Sequence, residues 1–146
     1  MEKRINVGQL EPAAYKALMG LESYLATTTI NKTHKELIKI RASQINGCAF
    51  CINMHTTDAR KNGETEQRIY LLNAWREVHD LYTEEERAIL ALTEEMTLIA
   101  NGGVSDETYQ KVKSLFDENQ LAQIMIAIIT INAWNRMAIA THLQPA

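Results

Sequence analysis

Asn46-Gly47-Cys48-Ala49-Phe50-Cys51-Ile52-Asn53-Met54-His55 holds both cysteines of the chain and one of its four histidines. Asn-Gly is a helix-ending signal, because glycine takes the left-handed backbone of a helix C-terminus without steric cost. The residues beyond it start a new helix near Cys48, so the stretch is a junction between two helices. Cys48, Cys51 and His55 then stand at i, i+3 and i+7 and share one helical face. Two thiols that close can cycle between dithiol and disulfide, and a nearby imidazole can take a thiol proton. The stretch therefore points to thiol redox chemistry.

Helical signals continue on both sides. Upstream, Thr33-His34-Lys35-Glu36 reads as a capping box, with Thr33 as N-cap and Glu36 at the third position. That helix carries Leu37, Ile38, Ile40 and Ile45. Before it, Pro12 suits a first helical turn, Tyr15, Leu18, Leu21 and Leu25 recur at helical spacing, and Thr27-Thr28-Thr29-Ile30 ends the run. Downstream, the cysteine helix runs to Lys61 and stops at Asn62-Gly63. Thr65 caps a helix with Ile69, Leu72 and Trp75. Thr83-Glu84-Glu85-Glu86 is a second capping box, leading a helix that stops at Asn101-Gly102-Gly103. Ser105 or Asp106 starts a short helix, and Asp117 with Gln120 caps a long last one. From Leu121 to Ile131 that helix is apolar on nearly every side, so it is expected to be a central core helix or to be covered by another subunit. No run alternates as a strand does. The expectation is an all-α bundle of six to seven helices, with residues 1–146 forming one domain.

Bulk properties narrow the function classes. The 146 residues suffice for a real core, and 46% hydrophobic with 23% charged residues is an ordinary globular balance. A net charge of −3 gives no reason to expect nucleic acid or an anionic membrane as partner. Met1-Glu2-Lys3-Arg4 leads into no apolar signal segment, and no apolar run reaches the ~20 residues of a membrane span. The expected address is the reducing cytoplasm, where a CxxC is redox-active or metal-bound rather than a structural staple.

A cysteine is nucleophilic only as thiolate. The helix N-terminus after Gly47 would favour that form most at Cys48. His55 lies four residues beyond Cys51, on its adjacent turn, but roughly 10 Å along the axis from Cys48. The two arguments choose different cysteines, and the imidazole carries more weight because it can also accept the proton. Glu36 could fix the imidazole tautomer if its helix folds back against the cysteine helix; the competing reading is its capping-box role. For the CxxC itself two alternatives stand beside redox chemistry. One is a pair of small buried hydrophobes; the other is zinc held with His55 and a further ligand such as Glu36 or His34.

Glu36, eleven intervening residues, Cys48-x-x-Cys51 and x-x-x-His55 together resemble the alkylhydroperoxidase D (AhpD)-like group of the carboxymuconolactone decarboxylase family. The resemblance extends through Leu37–Cys51, His55–Trp75, the Arg87-Ala88 helix and the Asn132-Ala133-Trp134-Asn135-Arg136 ending. It implies an all-α fold, homo-oligomers built from dimers or trimers, and an antioxidant peroxidase cycle without a cofactor. In that cycle Cys51 would attack a small organic hydroperoxide, Cys48 would resolve the product to a disulfide, and Glu36 would act through His55 to deprotonate Cys51. A dithiol partner of thioredoxin or lipoyl type would restore the thiols. Phe50 stands where the best-characterised members carry a histidine, and phenylalanine carries no proton. The decarboxylase branch lacks the CxxC. The expectation is a thiol-dependent peroxidase or disulfide reductase acting on small organic hydroperoxides or partner disulfides; a non-catalytic oligomeric binding protein that retains the motif is the alternative from another class.

Other polar residues receive bland readings. Asn132, Asn135 and Arg136 border the site or, preferably, form a polar network that pins helix packing. Trp75 and Trp134 are core or interface anchors, and His34, His79 and His142 are expected to be solvated.

Overall fold

The computed structural model describes residues 3–146; Met1 and Glu2, which open the charged N-terminal stretch, lie outside the described residues. The fold is all-α. Its helices are α1 (Val7–Leu10), α2 (Pro12–Thr27), α3 (Lys32–Asn46), α4 (Ala49–Lys61), α5 (Glu66–Tyr70), α6 (Glu84–Thr97), α7 (Asp106–Leu115) and α8 (Glu118–Ala140). A 3-10 segment, Leu72–Glu77, lies between α5 and α6.

Most boundaries follow the sequence signals. Pro12 opens α2, and Thr65, Thr83, Ser105 and Asp117 cap the helices that follow them. The boxes at Thr83/Glu86 and Asp117/Gln120 are reciprocal, each satisfying two helix-terminal donors. Two expectations need correction, and one helix was not foreseen. The Thr33–Glu36 capping box does not form: Asn31 caps α3 instead, its side chain accepting from Thr33 N at 2.7 Å. That starts α3 earlier and frees the Glu36 carboxylate for a tertiary partner. The helix after Thr65 breaks at Tyr70 into the 3-10 segment, where Ala74 leaves helical backbone angles. The short α1 carried too few periodic residues to be read from the sequence.

The hub is α3, which packs against α4, α6 and α8. Ile38 and Ala42 join Ile89 and Leu92 of α6 and Ile124, Ile128 and Ile131 of α8 in one buried cluster. Leu37 and Ile40 join Ala59 of α4, Leu72 and Trp75 of the 3-10 segment, and Leu90 in another. Burying two faces of one helix makes α3 the element that positions α4 against α8.

The long last helix is not enclosed all round. Leu121, Ile124, Ala127, Ile128, Ile131, Asn135 and Ala138 form its buried stripe, whereas Ile129 is 50% and Ile139 41% exposed. Among the described residues, no helix is long and apolar enough to cross a membrane.

Candidate active site

The site lies at the α3–α4 corner. Gly47 ends α3 with φ of 71°, the left-handed region that favours glycine. The chain reverses there, and Cys48 N donates to Ser43 O at 3.0 Å. Cys48 is the N-cap of α4, and its Sγ accepts the N–H of Cys51 at 3.4 Å. The helix N-terminus thus acts on Cys48, as its place in the sequence implies. Cys48 and Cys51 are joined as a disulfide across a Cα separation of 5.4 Å, inside the usual range of ~4.4–6.8 Å. Both are buried and pack against Ala138 of α8, with the half-buried Phe50 alongside.

His55 is buried one turn beyond Cys51 on α4. The fold-back of α3 onto α4 brings Glu36 to it, with Glu36 Oε2 lying 3.7 Å from His55 Nδ1. Both atoms are buried and neither has a hydrogen-bond partner. Buried polar atoms are nearly always partnered, so two unpartnered ones facing each other mark a place where a small closure would complete a hydrogen bond. The four residues singled out in the sequence, Glu36, Cys48, Cys51 and His55, therefore meet at one corner of the bundle.

The asparagines form a network next to the disulfide. Asn46 Nδ2 donates to Asn132 Oδ1 at 3.0 Å and to Asn135 Oδ1 at 2.9 Å. Asn135, fully buried, donates from Nδ2 to Ser43 Oγ at 3.0 Å. The network pins α8 to the last turn of α3, immediately before Gly47-Cys48. Arg136 donates to Asn132 Oδ1 at 2.9 Å and lines a surface groove of about 280 Å³ with Met96, Ile128, Ile129, Asn132 and Ala133.

The tryptophans anchor helices as expected. Buried Trp75 donates Nε1 to Glu94 Oε1 at 2.8 Å, and half-buried Trp134 donates to Glu22 Oε1 at 3.0 Å. His79 is exposed, but His34 is not the solvated residue expected. Its side chain is 12% exposed, edge-on to Phe116 with ring centroids 6.1 Å apart. Burial pushes its pKa down against the pull of Glu86 and Glu85. Nothing in its sequence spacing signalled this, since the enclosing Phe116 follows α7. The sequence reading also passed over Lys39, whose Nζ lies 3.9 Å from both Glu36 Oε1 and Glu22 Oε2. Its only sequence signal was a Glu–Lys pair at i, i+3.

Among the described residues, no three of His, Cys, Asp and Glu are disposed to hold a metal ion. In this state the disulfide also withholds both sulfurs as thiolate ligands.

Known proteins show the same arrangement of chain. The family model of the carboxymuconolactone decarboxylase family matches residues 12–95, a range that includes all four residues of the corner. The uncharacterized protein YdfG of Bacillus subtilis (strain 168) is 51% identical over 140 residues, covering 96% of this chain and 95% of its own. A crystal structure of an Agrobacterium tumefaciens protein of unknown function superposes with a TM-score of 0.94. It is 40% identical, covers 99% of both chains, and has antioxidant defence of the AhpD type as its suggested role. An uncharacterized peroxidase-related protein from Ralstonia eutropha JMP134, with an alkylhydroperoxidase AhpD core, shares the fold at a TM-score of 0.81 and 17% identity. That match covers 96% of this chain and 74% of that one. With a family match over more than half its length and a near-complete relative at 51% identity, the chain belongs to the carboxymuconolactone decarboxylase family, among its AhpD-like members.

Proposed function

We propose that residues 1–146 act as one thiol-dependent peroxidase domain that reduces small organic hydroperoxides through the Cys48–Cys51 pair. The observation that carries this reading is the disulfide at the start of α4, with His55 one turn on and Glu36 facing its Nδ1. In the reduced protein His55 accepts the Cys51 proton, and Glu36 opposite Nδ1 holds the tautomer that leaves the other ring nitrogen to do so. The Cys51 thiolate attacks the terminal peroxide oxygen. An S–O bond forms, the O–O bond breaks, and the alcohol leaves with the proton held by His55. Cys51 is then a sulfenic acid. The Cys48 thiol attacks that sulfur, the S–S bond forms, and water departs with the oxygen. A dithiol protein, of thioredoxin or lipoyl type, takes up the disulfide and is itself oxidised, so two electrons pass from dithiol to peroxide.

Phe50 has a consequence for this cycle. It packs beside the disulfide and can carry no proton, so the N–H of Cys51 at Cys48 Sγ is the local stabiliser of a resolving thiolate. The exposed isoleucines of α8 support a homo-oligomer, and the net charge of −3 gives no support to nucleic acid or an anionic membrane as partner.

Peroxide turnover with a dithiol donor tests the assignment. Cys51→Ser is expected to abolish turnover, and His55→Gln to lower it roughly 10²–10⁴-fold, the range for loss of a general base. Undiminished turnover in Cys51→Ser would remove the role given to Cys51. Failure of peroxide to form the Cys48–Cys51 disulfide, read by mass spectrometry, would favour the non-catalytic binding protein.

A further inference from the structure

The disulfide that the proposed cycle must form and break is closed off from solvent. Cys48 is 1% and Cys51 2% exposed, and Ala138 of α8, which packs on them, is 7% exposed. In thiol–disulfide exchange a thiolate approaches one sulfur in line with the bond that breaks, so the rate depends on access. With the pair buried this deeply, a covering group has to move before exchange begins.

Two apolar groups cover the pair, and they differ in how they can move. Ala138 has no side-chain torsion, so it leaves the sulfurs only if α8 itself shifts. That part of α8 is pinned: Asn135, one turn earlier, donates to Ser43 and accepts from Asn46, both on α3. Ala138 O also accepts from Leu143 N at 2.9 Å. Among the described residues, Phe50 is the one partly exposed apolar side chain packed on this cluster, so its ring lies between the cluster and solvent. Phe50 is the second residue of α4, whose N-cap is Cys48. Inside a helix the preceding turn blocks one of the three χ1 wells, but the first turn of α4 has no helical turn before it. The ring can therefore rotate outward while the backbone stays in place.

We propose that Phe50 decides what reaches the Cys48–Cys51 pair: its ring closes the solvent side of the disulfide, and exchange proceeds when the ring swings out. The inference rests on the redox reading of the pair and adds to it a residue that controls access rather than protons. Met54, one turn further along α4 and 40% exposed, lies outside the cluster and provides a control on the same helix.

The test follows reduction of the oxidised full-length chain by dithiothreitol, with the freed thiols alkylated and counted by mass spectrometry. A reagent thiolate attacks one sulfur of the pair, a mixed disulfide forms, and the other cysteine leaves as a thiolate that water protonates. The second reagent thiolate then displaces the first cysteine. Dithiothreitol closes to its cyclic disulfide, and two electrons pass to the protein. Phe50→Ala is expected to speed reduction roughly tenfold, the order set by losing part of one buried aromatic cover. Phe50→Tyr, which keeps the ring, and Met54→Ala are expected to stay within about twofold of the parent. A cover acts alike on both directions of exchange. The equilibrium constant in mixtures of reduced and oxidised dithiothreitol is therefore expected to be the same in Phe50→Ala, whereas loss of a contact that stabilises the disulfide would shift it. Phe50→Leu replaces Phe50→Ala should the latter lose its helical circular dichroism. An unchanged rate in the folded variant overturns the proposal. So does a gain in rate matched by a shift in the equilibrium constant, or an equal gain in Phe50→Tyr or Met54→Ala. No peroxide enters the measurement, so its result is separate from whether Cys51→Ser abolishes turnover.

Discussion

Two histidines of this chain with little solvent contact differ in what faces them. His55 faces the Glu36 carboxylate across 3.7 Å, one turn from Cys51. His34, two residues before Glu36 in sequence, sits between Phe116 and the acidic start of α6, and burial dominates its titration. A histidine whose folded pKa lies below its ordinary value of ~6.5 favours the fold in its neutral form. Its contribution is complete above pH ~6.5 and is lost as pH falls through the lower folded value. The urea midpoint is accordingly expected to fall between pH 7 and pH 5, and His34→Gln to flatten that slope. Glu86 and Glu94 add their losses only at more acid pH. Burial would raise both, but donors from Arg68 to Glu86, and from Arg76, Trp75 and Arg41 to Glu94, hold them below the ordinary glutamate range. A midpoint that stays level across pH 7 to 5 in the parent protein would contradict this account of His34.

At the scale of elements, the site is a property of one corner. The α3 helix ends where it does because Gly47 can turn left-handed, and α4 starts immediately with a cysteine as its cap. A Cβ built on Gly47 would meet nothing within 4 Å, so replacing it costs only backbone strain. Gly47→Ala is therefore expected to lower unfolding free energy by about 1–2 kcal/mol, measured by denaturant titration. Its helical content should persist, because the Thr83 and Asp117 capping boxes lie in other elements. A change below a few tenths of a kcal/mol would show that the corner relaxes without Gly47. The same corner explains the buried asparagines. Asn135 and Asn132 tie α8 to Asn46, one residue before Gly47, so the start of α4 is held from two sides.

At the scale of the molecule, the exposed face of α8 is the unfinished part. Ile129, at 50% exposure, lies on the side of its helix away from the buried stripe, and Leu98 and Ile99 after α6 are also exposed. For the proposed homo-oligomer this face is the natural place for a second copy. Light scattering is expected to give a mass of two or more chains of 16.6 kDa, and Ile129→Glu to reduce it. A single-chain mass for the parent protein would remove the oligomer.

The sequence by itself determined the all-α class, most helix starts and the cysteine–histidine spacing, because capping, helix termination and i, i+4 proximity are local physics. It could equally place Cys51 beside His55 before any tertiary contact was known. It could not decide whether Glu36 was a cap or a partner of His55, since that contact depends on α3 folding back against α4. Nor could it tell which side of α8 is buried, because apolar residues surround that helix and its pattern points nowhere. Those outcomes rest on how α3 is packed. Buried against α4, α6 and α8 at once, it carries Glu36 to His55 and Lys39 to Glu22, contacts between different helices that only the assembled bundle brings together.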